Sequence, residues 1–258
     1  MPRPALLLLL ALALPAGAQS TPKDAPTLNQ ILDRLSRDAD EYSAFVPNFF
    51  CEEHVVSQEL KSGKVRKEAT LDSNFRVIRA KTGPTFGQLT ETKEPRLLNG
   101  KPTSKAHVNL PIVINDAFTS AVKTFFSADA RSCYTYKLVD TGSGPIEVDF
   151  TIRDVLIPMV AQCGAFAPGT TGKALVDRAT LHAIHVDRSH PTAPPNRITN
   201  SASVDFAKID FGSDSFYLPT TVDALSGTAQ SGFRYLATYS NCHKLAVTTT
   251  ITPVPDAK

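Results

Sequence analysis

Ile146-Glu-Val-Asp-Phe-Thr-Ile-Arg153 is the stretch whose reading decides the fold. Ile146, Val148, Phe150 and Ile152 alternate with Glu147, Asp149, Thr151 and Arg153. On a strand that period of two puts the apolar side chains on one face and the polar ones on the other. One buried and one wet face is the mark of an antiparallel sheet. Just upstream, 134–139 reads as the hairpin partner, across Thr141-Gly-Ser-Gly-Pro145. Downstream, strands are expected over 173–177, 181–188, 204–211, 231–239 and 245–251, with a turn over 177–180 and a proline-rich loop over 191–196. Upstream, 51–60 reads as a strand ending at the Ser62-Gly63 turn, 75–79 as another, and Asn99-Gly100 as a tight turn.

Two segments carry a helical period instead. Thr27 and Gln30 have the capping-box spacing, with Pro26 just outside. Leu28, Ile31, Leu32, Leu35, Ala39 and Tyr42 then recur on one face, and Asp33, Arg34, Arg37, Asp38 and Glu41 take the other. This amphipathic helix ends near Val46, because the residue before Pro47 is pushed out of helical conformation. A second, shorter helix is expected over 116–127, capped by Asn115 or Asp116, with Phe118, Ala121, Val122 and Phe125 along one side. Strands follow strands without intervening helices, which argues against a parallel doubly wound sheet. The expected fold is mostly β (α+β): a curved antiparallel sheet, or incomplete β-barrel, with two amphipathic helices covering the concave side.

The first residues set the compartment. Arg3, an apolar run from Ala5 to Leu14, then Pro15 and Ala16-Gly17-Ala18 follow the order of a cleavable secretory signal. The run is about ten residues, against roughly 20 needed to cross a bilayer. The expected organisation is a signal peptide over 1–18, a flexible segment over 19–26 and one domain over 27–258, exported to the periplasm or beyond. The chain has 27 basic and 25 acidic residues and lacks a basic cluster with interleaved aromatics, so nucleic acid is excluded as a partner. Cys51, Cys133, Cys163 and Cys242 form an even set in an exported chain, which suggests two disulfides. Three pairings are open, and no CxxC spacing favours a zinc or redox site.

Motifs for chemistry are weak. His182 and His185 point to opposite faces of a strand and His190 falls beyond it, so the three histidines make no metal site. Gln162-Cys163-Gly164 echoes a cysteine-protease nucleophile. The following His185 and Asn196 lie far closer than the roughly 130 residues such a site uses. Glu52 and His54 share a strand face and could form an acid/base pair, but a solvated face accounts for them as well. Asp205, Asp210 and Asp214 lack the spacing of a calcium loop. GxSxG, P-loop and dinucleotide signatures are absent. The chain is expected to be no enzyme and to carry no metal or cofactor.

Two amphipathic helices on a curved sheet make an apolar groove. Leu28, Ile31 and Leu35 from the first helix, and Phe118, Val122 and Phe125 from the second, are its candidate lining. The order of signal peptide, helix, strands, Phe-containing helix and strands resembles the periplasmic lipoprotein-carrier (LolA/LolB-like) family. So do Gly172-Lys-Ala-Leu-Val-Asp177, the run from Val204 to Phe216-Tyr-Leu-Pro219, and Tyr239-Ser-Asn-Cys-His-Lys244. The run from Asp72-Ser-Asn-Phe-Arg-Val-Ile78 to Asn99-Gly-Lys-Pro102 is similar to uncharacterised exported bacterial proteins. The resemblance implies an incomplete barrel whose helices cover a cavity for acyl chains. The function expected is binding of a lipid-like ligand, an acylated peptide or a lipidated partner, at most peripheral to a membrane. The alternatives are an envelope sensor or scaffold that binds another protein, and a secreted hydrolase with an unrecognised site.

Overall fold

Two tight turns begin the sheet. In the computed structural model Ser62 and Gly63 both take positive φ, as do Asn99 and Gly100, the backbone a two-residue hairpin requires. The residues described are 25–82, 86–104, 108–123, 125–139, 142–153, 169–191, 199–228 and 230–245. The expected signal peptide, the Gln162-Cys163-Gly164 tripeptide and all but Leu245 of the strand expected over 245–251 lie outside them.

A helix α1 (Leu28–Phe45) opens the described chain, followed by strands β1 (Phe49–Lys61), β2 (Lys64–Arg79), β3 (Leu89–Leu98) and the short β4 (Lys101–Pro102). Two small helices come next, α2 (Ala117–Lys123) and α3 (Ala128–Arg131). Strands β5 (Tyr134–Val139), β6 (Ile146–Ile152), β7 (Thr171–Val176), β8 (Ala183–Pro191), β9 (Thr199–Phe211), β10 (Asp214–Gly227) and β11 (Ser231–Lys244) complete the order. The strands form one curved, unclosed sheet of 11, in the order β4-β3-β2-β1-β11-β10-β9-β8-β7-β6-β5, with antiparallel neighbours throughout. Strands that pair are therefore consecutive in sequence except at the seam where β1 meets β11, and β4 and β5 are the two edges. The chain from Thr103 to Cys133 leads from one edge of the sheet to the other and carries α2 and α3.

The deciding stretch is β6, and its alternation is seen in the burial: Ile146, Val148, Phe150 and Ile152 are buried, while Thr151 is exposed. The first helix matches the reading residue by residue. The Gln30 amide donates to Thr27 Oγ1 at 3.3 Å and the Thr27 amide to Gln30 Oε1 at 2.8 Å, so two of the helix's orphan donors are satisfied. Its C-terminal carbonyl end is held by Arg79, whose guanidinium donates to Ser43 O at 2.7 Å and Val46 O at 3.3 Å. The second helix is shorter than expected. It stops at Lys123, Phe125 and Phe126 sit buried in a turn, and Ser127 caps the separate α3 by accepting from the Ala130 amide. Strand β2 is far longer than 75–79, and β3 has no counterpart in the hydrophobic pattern.

α1 lies across two packed clusters. Ile31, Leu32 and Leu35 join Phe125, Phe126, Tyr134, Val148 and Phe150, while Tyr42 and Val46 join Phe49, Phe75, Phe118 and Tyr235. Cys51 and Cys242 form a disulfide across β1 and β11, linking positions 191 residues apart at the seam. Cys133 is disulfide-bonded as well, and Cys163 lies outside the described residues. Such bonds belong to oxidising compartments.

Candidate functional site

The site lies along one lateral row of the sheet. Register pairs carry Phe150 to Gly172, Gly172 to Arg188, Arg188 to Ala202, Ala202 to Ala224, Ala224 to Tyr235 and Tyr235 to Ser57. Directly paired residues share a face, and this one is the helix-covered face. The middle of the row is two alanines. Opposite them, Ala117 and Ala121 stand four apart on α2, on one side of the helix. Four methyl groups meet where larger side chains would interdigitate, and a cavity of about 170 Å3 remains between α2 and β8, β9 and β10. Ile114, Phe125, Val186, Val204 and Val222 complete its apolar wall, and Asn115, Ser120 and Arg188 are the polar residues on it.

Arg188 is the charged member. Its guanidinium carbon stands 5.7 Å from the centre of the Phe125 ring, within cation–π range. The residue is exposed to solvent, yet partial desolvation pulls its pKa below the ordinary value, with Tyr134 acting against that shift. Phe125 is held in turn by Phe150, whose ring lies 4.9 Å away and nearly parallel. A side chain at Gly172 would collide with the Phe150 ring and with the Asp187 carbonyl, so the glycine lets that ring lie against the sheet.

Further along the same face the chemistry changes. Glu53 is fully buried on β1. It accepts from Lys93 Nζ at 2.7 Å and from Ser73 Oγ at 2.5 Å, and Lys93 also donates to the Tyr235 hydroxyl at 2.7 Å. Burial by itself pulls Lys93 down, but Glu53's charge and the two hydrogen bonds carry its pKa above the usual value. Burial pushes the Tyr235 hydroxyl up to about 12. Glu91, also facing inward from β3, accepts from the Thr119 amide and is pushed up by burial. Glu91, Lys93 and Tyr235, together with Val55, Leu71, Val108 and Leu110, border a second cavity of about 480 Å3. The segment that roofs it is docked by Ser57, whose hydroxyl donates to Ile112 O and accepts from the Ile112 amide, both at 2.9 Å.

The sequence-expected lining residues are divided among these places. Phe125 borders the smaller cavity. Ile31 and Leu35 are buried in the cluster around Phe125, Leu28 packs partly buried against it, and Phe118 is buried in the other cluster between Phe49, Phe75 and Tyr239. Val122 belongs to α2. The histidines each have separate partners: His182 pairs with Asp38 of α1 at 2.7 Å and stacks on Tyr217, His185 pairs with Asp205 at 2.6 Å, and His190 meets Asn200 at 2.9 Å. Glu52 and His54 do not meet either; Glu52 accepts from Asn241 and His54 pairs with Asp72 at 2.6 Å. No metal-holding group of acidic, His and Cys residues occurs among the described residues. A larger groove of about 960 Å3 is bordered by Asp149, Ser203, Asp223 and Arg234, by the apolar Leu60, Val65 and Leu225, and also by Phe150, Arg188 and Ala202 of the row above. Arg234 is bound there by both oxygens of Asp223.

Sequence reasoning missed Arg188, Lys93 and the alanines. Arg188 stood in a strand of mixed pattern, and nothing local marks an alanine as the floor of a cavity.

No family model matches the chain, and no curated protein matches it. Solved structures similar to it include a LolA superfamily protein from Nitrosomonas europaea, 11% identical with a TM-score of 0.36, covering 84% of this chain and 94% of that one. A DUF1329 family protein from Desulfovibrio piger is 12% identical with a TM-score of 0.38, covering 84% and 92%. A domain described as an outer membrane lipoprotein-sorting protein from Vibrio parahaemolyticus is 8% identical with a TM-score of 0.37, covering 82% and 90%. The lipoprotein-carrier resemblance read from the order of elements recurs in the first and third of these.

Proposed function

We propose that this is an exported envelope protein, a single domain over 27–258, that binds a lipid-like ligand or a lipidated partner in the cavity beneath α2. The observation that carries the reading is the cavity itself: an apolar space of about 170 Å3 at the centre of the helix-covered face, floored by Ala202 and Ala224. An unfilled apolar space loses packing contacts that an apolar ligand restores. Each methylene buried there contributes about 0.8 kcal/mol.

Size decides how much ligand enters. A cavity of about 150 Å3 takes one benzene-sized group, so the closed form accepts a short alkyl tip. A longer chain needs α2 to move. That helix has seven residues, and its polar ties to the rest of the fold include the Tyr42 hydroxyl and the Glu91 carboxylate, both on Thr119. Its displacement would bring Val122 and Phe118, and then Ile31, Leu35 and Leu28 of α1, into one groove with Phe125.

Native mass spectrometry of the protein purified from envelope extract, with lipid extraction of the bound material, tests this. A stoichiometric lipid or acylated peptide is expected, and the double substitution Ala202→Leu/Ala224→Leu should abolish it by filling the floor. An apo mass that stays unchanged after incubation with detergent-solubilised lipid overturns the reading.

A further inference from the structure

We infer that the cavity beneath α2 takes a single-chain amphiphile with an anionic head, carboxylate or phosphate, and that Arg188 binds that head at the cavity mouth. This rests on the cavity reading above and specifies its ligand.

Arg188 is the one charged residue among the described residues bordering the cavity. Its neighbour Asp187 lies at the next strand position, on the opposite face, where it pairs with His185 at 3.1 Å. Tyr134 is the ionisable neighbour that acts on Arg188, and no carboxylate among the described residues does. The guanidinium stands over the Phe125 ring and has no ion pair among the described residues. The contrast is with Lys93, another inward cation on this face, which Glu53 neutralises. A guanidinium that has lost part of its hydration gains from an anion that accepts its hydrogen bonds. A planar guanidinium can present two parallel N–H donors to a carboxylate or phosphate. Ala202, its register partner, leaves room beside it. The chain would pass under α2 while the head stays at the exposed end of Arg188.

The test is a chemical-shift titration of the purified protein with octanoate, octyl phosphate and octan-1-ol. These share one chain and differ in the head. The two anions should bind about tenfold or more tightly than the alcohol, the usual gain from hydrogen bonds to a charged group. Arg188→Gln should lower both anions to the affinity of the alcohol and leave the alcohol unchanged, which also reports that the cavity is intact. The better anion identifies the head as carboxylate or phosphate. Equal binding of all three by the unsubstituted protein, or an anion preference that survives Arg188→Gln, overturns the role of Arg188 and leaves the cavity reading standing. Failure of all three to bind, or binding that Ala202→Leu/Ala224→Leu does not weaken, overturns the cavity reading itself.

Discussion

The two ends of the helix-covered face are built from the same kind of strand and solve burial differently. Around β5 to β8 the inward positions are mostly apolar, among them Tyr134, Ile146, Val148, Phe150, Ala174 and Val176, and packed rings fill the space. Around β1 to β3 the inward positions include Glu53, Ser73, Glu91 and Lys93, held by a short hydrogen-bond network. Phe206 packs against both clusters and joins them. The lesson concerns sensitivity to change. An apolar end answers to volume, whereas a polar end answers to whether every partner is present, because a buried charge without its partner costs more than a missing methyl group.

Lys93→Met should separate the two ends most sharply. It leaves Glu53, with no side-chain exposure, without its cation. A loss of about 3–5 kcal/mol in denaturant unfolding is expected for breaking a buried pair. Glu53→Leu/Lys93→Met should recover most of that loss. If the double substitution is as unstable as the single one, the polar end is held by shape rather than by charge, and the contrast fails.

At the apolar end, Ile146→Val removes one methylene from a residue 2% exposed. A loss of about 0.5–1.5 kcal/mol is expected. In combination with Lys93→Met the two losses should add, since the sites share no partner. A strongly non-additive result would mean that the two clusters act as one.

Glu91→Gln should have the smallest effect, and of the opposite sign. Burial raises the Glu91 pKa, so the folded protein holds that proton more tightly than the unfolded chain. Stability from this group is full below the unfolded value, about 4.3, and falls as pH rises towards the folded value. Glutamine keeps the acceptor for the Thr119 amide and removes the ionisation. The variant should therefore match the parent in thermal midpoint at pH 4 and exceed it slightly at pH 7. Equal midpoints at both would place Glu91 in contact with water and weaken the account of the polar end.

That difference also explains what could be read from the sequence. β6 was legible because its inward positions are all apolar. β3 was not: its inward positions are Leu89, Glu91, Lys93 and Pro95, against Thr90, Thr92 and Glu94 outward, so the pattern carries no hydrophobic period. Glu53 likewise sits between Glu52 and His54 and reads as part of a wet face, yet it is the buried member of the three. In the candidate site, Phe125 was named from a helical spacing that stops at Lys123, and it is a turn that carries the ring to the cavity. Arg188 was not named, because its role depends on a ring that reaches it from another element.

What the sequence determined by itself is local. The capping box of α1, the stop before Pro47, the two-residue turns at Ser62-Gly63 and Asn99-Gly100, and the alternation of β6 each depend on residues within a few positions of one another. Tertiary structure alone decided the rest. The pairing of β1 with β11, the choice of Cys242 for Cys51, the Glu53–Lys93–Tyr235 network and the alanine floor beside Arg188 join residues that are remote in sequence, 142 positions apart for Lys93 and Tyr235 and 182 for Glu53 and Tyr235. A local pattern fixes which face a side chain takes. Which side chains meet on that face depends on strand order and register, and those are settled by the packing of the whole sheet against its helices.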